Sequence, residues 1–129
     1  MILDTNFLID LMRHDLKAIN KLEELNKKGI PQIVTTPTLF ELWSGVIQSR
    51  KPEEEKKKIK EILINQTILN LDKESAEEAG QIDGRLTKQG IDIEVVDSMI
   101  AGISKVNNKK ILTRNIKHFE KTGLQIESY

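Results

Sequence analysis

Three carboxylates and one amide stand where strands and helices that alternate along a chain would bring them together: Asp4, Glu41, Asp97 and Asn115. Asp4 ends the apolar run Met1-Ile2-Leu3. Glu41 lies in the helical pattern after Ile33-Val34-Thr35, Asp97 follows Val95-Val96, and Asn115 comes just after Lys110-Ile111-Leu112-Thr113. Together they form an all-oxygen donor set, which suits Mg²⁺ or Mn²⁺. Carboxylates at close quarters repel one another unless a cation neutralises them. A convergent cluster therefore implies a divalent metal, and metal with carboxylates is the usual apparatus of phosphodiester hydrolysis. The chain has no cysteine, so thiolate metal sites and disulfides are excluded. Its two histidines, His14 and His118, cannot by themselves make a nitrogen-rich zinc site.

Each position also has a plainer explanation. Asp4 and Asp97 can serve simply as helix N-caps, where a negative charge suits the helix dipole. Glu41 completes a capping box, Thr38-Leu39-Phe40-Glu41. Asn115 is a common turn residue. The case for a site rests on all four coinciding, and that requires a fold that gathers strand ends and helix starts along one edge.

The periodicity supplies such a fold. Short apolar or β-branched runs predict strands over Met1–Asp4, Ile33–Thr35, Thr67–Leu71, Lys110–Thr113 and Leu124–Ile126, the last at an edge. Helical spacing fills the intervals. A short helix carries Phe7, Leu8, Leu11 and Met12, with Thr5 expected to cap it and leave the Asp4 carboxylate free. A second carries Leu16, Ile19, Leu22 and Leu25 and stops at Gly29 and Pro31. A third opens at Thr36-Pro37; its stripe of Leu39, Leu42, Trp43, Val46 and Ile47 makes Trp43 a core residue and sets Glu41 apart. The helix from Pro52 buries Ile59, Ile62 and Leu63 and solvates the run Lys56–Lys60. Asp72 caps a helix lined by Ala76, Ala79, Ile82 and Leu86, on which Gly80 and Gly84 read as a close-packing pair. A last long helix begins at Asp97 and turns Met99, Ile100, Ile103 and Val106 inward. The alternation predicts a three-layer α/β/α fold with a mostly parallel central sheet of about four to five strands and right-handed crossovers. No repeat or linker interrupts it, so residues 1–129 read as one domain.

With 129 residues the chain is long enough for a real core. Lys+Arg and Asp+Glu each number 20, so net charge argues neither for nor against a nucleic-acid partner. No apolar run is long enough to span a bilayer and the start lacks a basic n-region, so a soluble cytoplasmic protein is expected.

The motifs in order resemble a PIN domain, and in particular the toxin nucleases of VapBC-type toxin–antitoxin pairs. The resemblance is carried by Ile2-Leu3-Asp4-Thr5-Asn6, by Thr36-Pro37-Thr38-Leu39-Phe40-Glu41-Leu42, by Asp97-Ser98-Met99-Ile100-Ala101, and by Ile111-Leu112-Thr113-Arg114-Asn115 with Lys117-His118-Phe119. It runs over essentially the whole chain. It implies that Asp4, Glu41 and Asp97 are acidic metal ligands, and that Asn115 fills a fourth position occupied by Asp or Asn, where a neutral amide binds metal more weakly. Thr5, Asn6 and Thr113 match polar positions flanking the ligands and are expected to orient them. The implied activity is a Mg²⁺- or Mn²⁺-dependent ribonuclease that leaves a 5′-phosphate. The implied partners are an RNA substrate, a cognate antitoxin and a second copy of the chain.

Substrate contact is expected from the basic residues Lys105, Lys109, Lys110, Arg114, Lys117 and Lys121, opposed only by Glu120. Arg114, beside Asn115, is the strongest candidate among them. His118 reads as a phosphate donor or a helix-end surface residue. Two other functions remain open at this point. A phosphomonoesterase built on a strand-ending Asp wants a second acid two residues on, where this chain has Asn6. A catalytically weakened RNA- or protein-binding module would be consistent with Asn115.

Overall fold

The central strands alternate between the two faces of the sheet, and that alternation splits the core in two. The computed structural model describes residues 1–129. Strands β1 (Ile2–Leu3), β2 (Ile33–Thr35) and β4 (Ile111–Leu112) are entirely buried. Leu3, Val34 and Leu112 face one side, where they pack with Phe7, Leu8, Leu25, Leu42, Val46 and Ile59. Ile2, Ile33 and Ile111 face the other and meet Ile100, Ile103 and Phe119. Each fully buried Leu or Ile is worth about 1.5–3 kcal/mol, against about 1 for a net hydrogen bond. The two-sided core therefore stabilises strands this short more than their ladders do.

The first face is covered by α1 (Thr5–Met12), α2 (Leu16–Lys27), α3 (Thr36–Gln48) and α4 (Pro52–Leu63). The second is covered by α6 (Val95–Asn107) and α7 (Ile116–Phe119), with α5 (Lys73–Lys88) packed on α6 through Ile82, Leu86 and Ala101. With β3 (Thr67–Leu69) and β5 (Ile126–Glu127) the sheet has five strands, ordered β3-β2-β1-β4-β5, and every neighbouring pair is parallel. The three-layer α/β/α expectation holds, and the sheet is wholly rather than mostly parallel.

That order has one reversal. The chain steps from β1 outward to β2 and β3, then returns across the sheet to β4 on the other side of β1. Right-handed crossovers put the helices of the return on the opposite face. The crevice at the carboxyl ends of β1 and β4 lies at this switch point, where open α/β sheets bind ligands.

Local differences from the sequence reading have simple causes. Leu42 and Val46 define the inner line of α3, so Phe40, Trp43 and Ile47 fall on an outer stripe and all three are exposed. Trp43 is therefore not core. Leu16, the first residue of α2, is exposed and Ala18 takes the inner place. Gly80 and Gly84 lie on the outer side of α5 with open space around them. The close approach of α5 and α6 is made instead by Gly102, where a Cβ would come within 2.7 Å of Ala79 and collide with the Ser75 carbonyl oxygen.

Candidate active site

Asp4 is 2% exposed and sits directly after β1. It occupies the N-cap position of α1 with an extended backbone, yet its carboxylate makes no capping bond. Instead Oδ2 accepts a hydrogen bond from Thr113 Oγ1 at 2.8 Å. Thr113 follows β4, which pairs with β1 in the register Leu3–Leu112, so one more residue on each strand sets Asp4 beside Thr113. The same hydroxyl accepts from the Asn115 backbone N–H at 3.0 Å. Asn115 is thus tied to the site through its main chain, at the head of α7.

Asp4 is free of capping as expected, but Thr5 does not take over that role. Thr5 is already the first helical residue of α1, and an N-cap needs a non-helical backbone. Its hydroxyl turns to α3 and donates to Glu41 Oε1 at 2.6 Å. Thr5 Oγ1 is also 3.0 Å from Thr38 Oγ1, which is 3.3 Å from Thr35 Oγ1. With the Thr5 proton given to Glu41, the hydroxyl chain runs from Thr35 through Thr38 to Thr5. The capping box Thr38–Glu41 does not form, because Thr35 is the cap of α3 and accepts from the Thr38 N–H. Glu41 is a turn too late to reach the helix start, and its carboxylate is left for the site.

Asp97 is 7% exposed. Helix α6 begins at Val95, two residues earlier than read from the sequence, so Asp97 lies in the first turn rather than at the cap. Its Oδ2 is 2.9 Å from His118 Nδ1 on α7. From its place in the sequence His118 reads as a donor to phosphate or a helix-end surface residue; its partner is Asp97. The signal was there in part, because His118 follows Asn115 by nearly one helical turn.

The buried carboxylates feel one another. Burial pushes the Asp4 carboxyl up and the Glu41 charge adds to the push, while Thr113, the Thr5 N–H and the His118 charge oppose it. Asp97 is raised to about 6, first by burial and then by the Asp4 charge, with His118 acting in the other direction. Asp4, Asp97 and Glu41 thus share one electrostatic environment at the carboxyl edge of the sheet. Three acidic or histidine side chains do not close on a single point as a finished metal cage. The donor chemistry nevertheless fits a hard divalent cation: every candidate ligand is oxygen, and the like charges need neutralising. An ion held by so open a set keeps waters of its own, as Mg²⁺ usually does.

The flanking residues divide. Asn6 is half-buried in the first turn of α1. Arg114, between Thr113 and Asn115, turns to Asp10 of α1, with Nη1 at 3.0 Å from Asp10 Oδ2. Lys105 pairs with Glu78 of α5. No helix is long and apolar enough to cross a membrane.

A PIN domain family model matches residues 1–124. The chain is 30% identical over 121 residues to the tRNA(fMet)-specific endonuclease VapC of Shigella flexneri, covering 94% of this chain and 90% of that protein. The crystal structure of VapBC2 from Rickettsia felis bound to a DNA fragment from their promoter matches with a TM-score of 0.89 at 26% identity, over 98% of this chain and 96% of that one. The crystal structure of DNA-bound VapBC from Salmonella typhimurium gives 0.88 at 28% identity, again over 98% and 96%. The chain belongs to the PIN domain family, among its VapC-type ribonucleases.

Proposed function

We propose that the chain is a divalent-metal-dependent endoribonuclease acting in the cytoplasm as the toxin of a toxin–antitoxin pair, with residues 1–129 as one nuclease domain. The observation that carries this reading is the burial of Asp4 and Asp97 as mutually repelling carboxylates at the switch point of a parallel sheet. Burying such charges without a cation is costly, so the fold holds a strain that a bound Mg²⁺ or Mn²⁺ relieves.

Asp4, Asp97 and Glu41 are the residues that would hold the ion, and Asn115 could add a neutral oxygen. When bound, a divalent ion supplies Lewis acidity: it lowers the pKa of water and stabilises negative charge on phosphate oxygens. The chain supplies the rest. Thr113 fixes the Asp4 carboxylate, Thr5 fixes Glu41, and His118 fixes Asp97 and holds its carboxyl below where burial and the Asp4 charge would otherwise put it. In-line attack of water on a backbone phosphorus would then leave a 5′-phosphate and a 3′-hydroxyl.

A protein partner is supported by the exposed stripe Phe40, Trp43 and Ile47 on α3. It is supported too by a groove of about 300 Å³ between α1, α3 and α4, where Ile9, Met12, Val46 and Ile59 stand beside Arg13, Glu41, Glu55 and Lys58. A VapB-like antitoxin and a second copy of the chain are the proposed occupants of these surfaces. The name of the Shigella relative makes tRNA(fMet) the first RNA to try. A second reading, a binding module without catalysis, is favoured by the neutral amide of Asn115 at the fourth position.

The test is cleavage of tRNA(fMet) and of total RNA by the purified protein with Mg²⁺ or Mn²⁺, with the new ends sequenced. Asp4→Asn and Asp97→Asn are expected to abolish cleavage and keep the fold. Full cleavage by Asp97→Asn would sink the assignment. Failure of the wild type to cleave RNA or to bind Mn²⁺ would favour the binding module.

A further inference from the structure

Asp10 is a buried carboxylate with no part in the reading above. It lies on the inner side of α1 and is 4% exposed. Two donors converge on one of its oxygens: Tyr129 Oη at 2.6 Å and Arg114 Nη1 at 3.0 Å. Tyr129 is itself fixed, edge-on against Phe7 with ring centroids 4.7 Å apart. Its hydroxyl lies within electrostatic reach of both Arg114 and Asp4. The Arg114 side chain remains 51% exposed despite its ion pair. A guanidinium has five N–H donors in a rigid fork, so most of them stay free.

The bland account is that Arg114 merely neutralises a buried acid. Two features point further. Arg114 is bonded into the chain between Thr113 and Asn115, the two residues that link Asp4 to α7. An acid pocket also repels polyanionic RNA, and a cation free to swing on a long side chain loses binding through its own disorder. A guanidinium pinned by a buried carboxylate and a packed tyrosine is already ordered.

From this we infer that Asp10 and Tyr129 are positioning residues that hold Arg114 at the rim of the acid pocket, where its free donors take an RNA backbone phosphate next to the scissile one. The inference rests on the ribonuclease reading and names how that site grips its substrate.

The experiment is steady-state cleavage of a single-stranded RNA oligonucleotide with one cleavage site, at several salt concentrations with fixed Mg²⁺. Arg114→Ala is expected to raise KM about tenfold, the value of a charge-assisted contact, and to change kcat by less than about twofold. The slope of log(1/KM) against log[salt] should fall by about 0.7, as for one lost phosphate contact on a single strand. Arg114→Lys should recover the salt slope but only part of the KM. Asp10→Asn should reproduce the KM split although it never meets RNA, and adding it to Arg114→Ala should cost nothing more. Tyr129→Phe keeps the ring on Phe7, so it tests the same link if Asp10→Asn fails to fold; a rise in KM of about two- to fivefold is expected from one lost hydrogen bond. An unchanged KM and salt slope in Arg114→Ala, with wild-type cleavage intact, overturns the clamp and leaves the nuclease. A loss confined to kcat in Asp10→Asn or Tyr129→Phe does the same. No metal-dependent cleavage by the wild type overturns the nuclease reading, and the clamp with it.

Discussion

Thr113 donates its hydroxyl proton to the Asp4 carboxylate at 2.8 Å, across 109 residues of sequence. Both groups are buried, so each depends on the other. Thr113→Ala should remove about 1–3 kcal/mol, the cost of leaving a buried acceptor unpaired, and should push the Asp4 carboxyl higher still. The acid limb of the pH–rate profile is then expected to move up. Thr113→Ser should restore both. A profile unchanged in Thr113→Ala would show that the bond does not govern Asp4.

The buried aspartates also make stability depend on pH. Asp97 is raised from 3.8 to about 6 in the folded protein, and Asp4 moves the same way. The folded state holds these protons more tightly, so their stabilising contribution is fully present below about pH 4 and lost as pH rises through about 6. Metal-stripped protein should therefore melt at a lower temperature at pH 7 than at pH 5. Asp97→Asn should flatten that trend and exceed the metal-free wild type at pH 7 by on the order of 1–3 kcal/mol. Mg²⁺ or Mn²⁺ should raise the wild-type melting temperature at pH 7 and leave Asp97→Asn nearly unmoved. Thermal melts with and without EDTA decide it.

Gly102 sets the spacing of α5 and α6. Since α6 carries Asp97, a shift there reaches the site. Gly102→Ala should destabilise the fold by about 1–3 kcal/mol through overpacking and lower activity with it. Gly84→Ala, in open space on the same pair of helices, should stabilise slightly by its better helix propensity. Denaturant melts of the two variants should move in opposite directions.

The outer stripe of α3 separates chemistry from partner binding. Phe40→Ser combined with Ile47→Lys alters two exposed side chains, so stability should change by less than about 1 kcal/mol. RNA cleavage should persist, while inhibition by a co-purified antitoxin should weaken by at least about tenfold if the stripe is the docking face. Unchanged inhibition would place the antitoxin elsewhere.

Much of the fold was legible because period and run length report burial directly. Ile2-Leu3 and Ile111-Leu112 have no polar alternation, as expected of strands covered on both faces. Asp4 and Asp97 stood out as acids at a strand end and a helix start, and Glu41 as an acid set apart from the apolar stripe of α3. What stayed hidden was pairing. Nothing in the spacing of Asp10, Arg114 and Tyr129 says that they share one oxygen. Nor does it say that His118 faces Asp97 or that Thr5 serves Glu41 instead of the helix end. Such contacts depend on which side of a helix turns to the sheet: on α3 that side carries Leu42 and Val46, which leaves Trp43 at the surface.

The sheet order carries a consequence for biosynthesis. Strand β1 emerges first, yet one of its two edges has no partner until β4 has been made. The pocket takes Asp4 from the first strand, Glu41 from the third helix, and Thr113 and His118 from the last fifth of the chain. Chains emerge from the ribosome amino end first, so the site cannot assemble until the segment carrying β4 and α7 has followed β1 and α3. The reversal that creates the crevice thereby acts as an order of assembly: Asp4 has no Thr113 to hold it until β4 has been made.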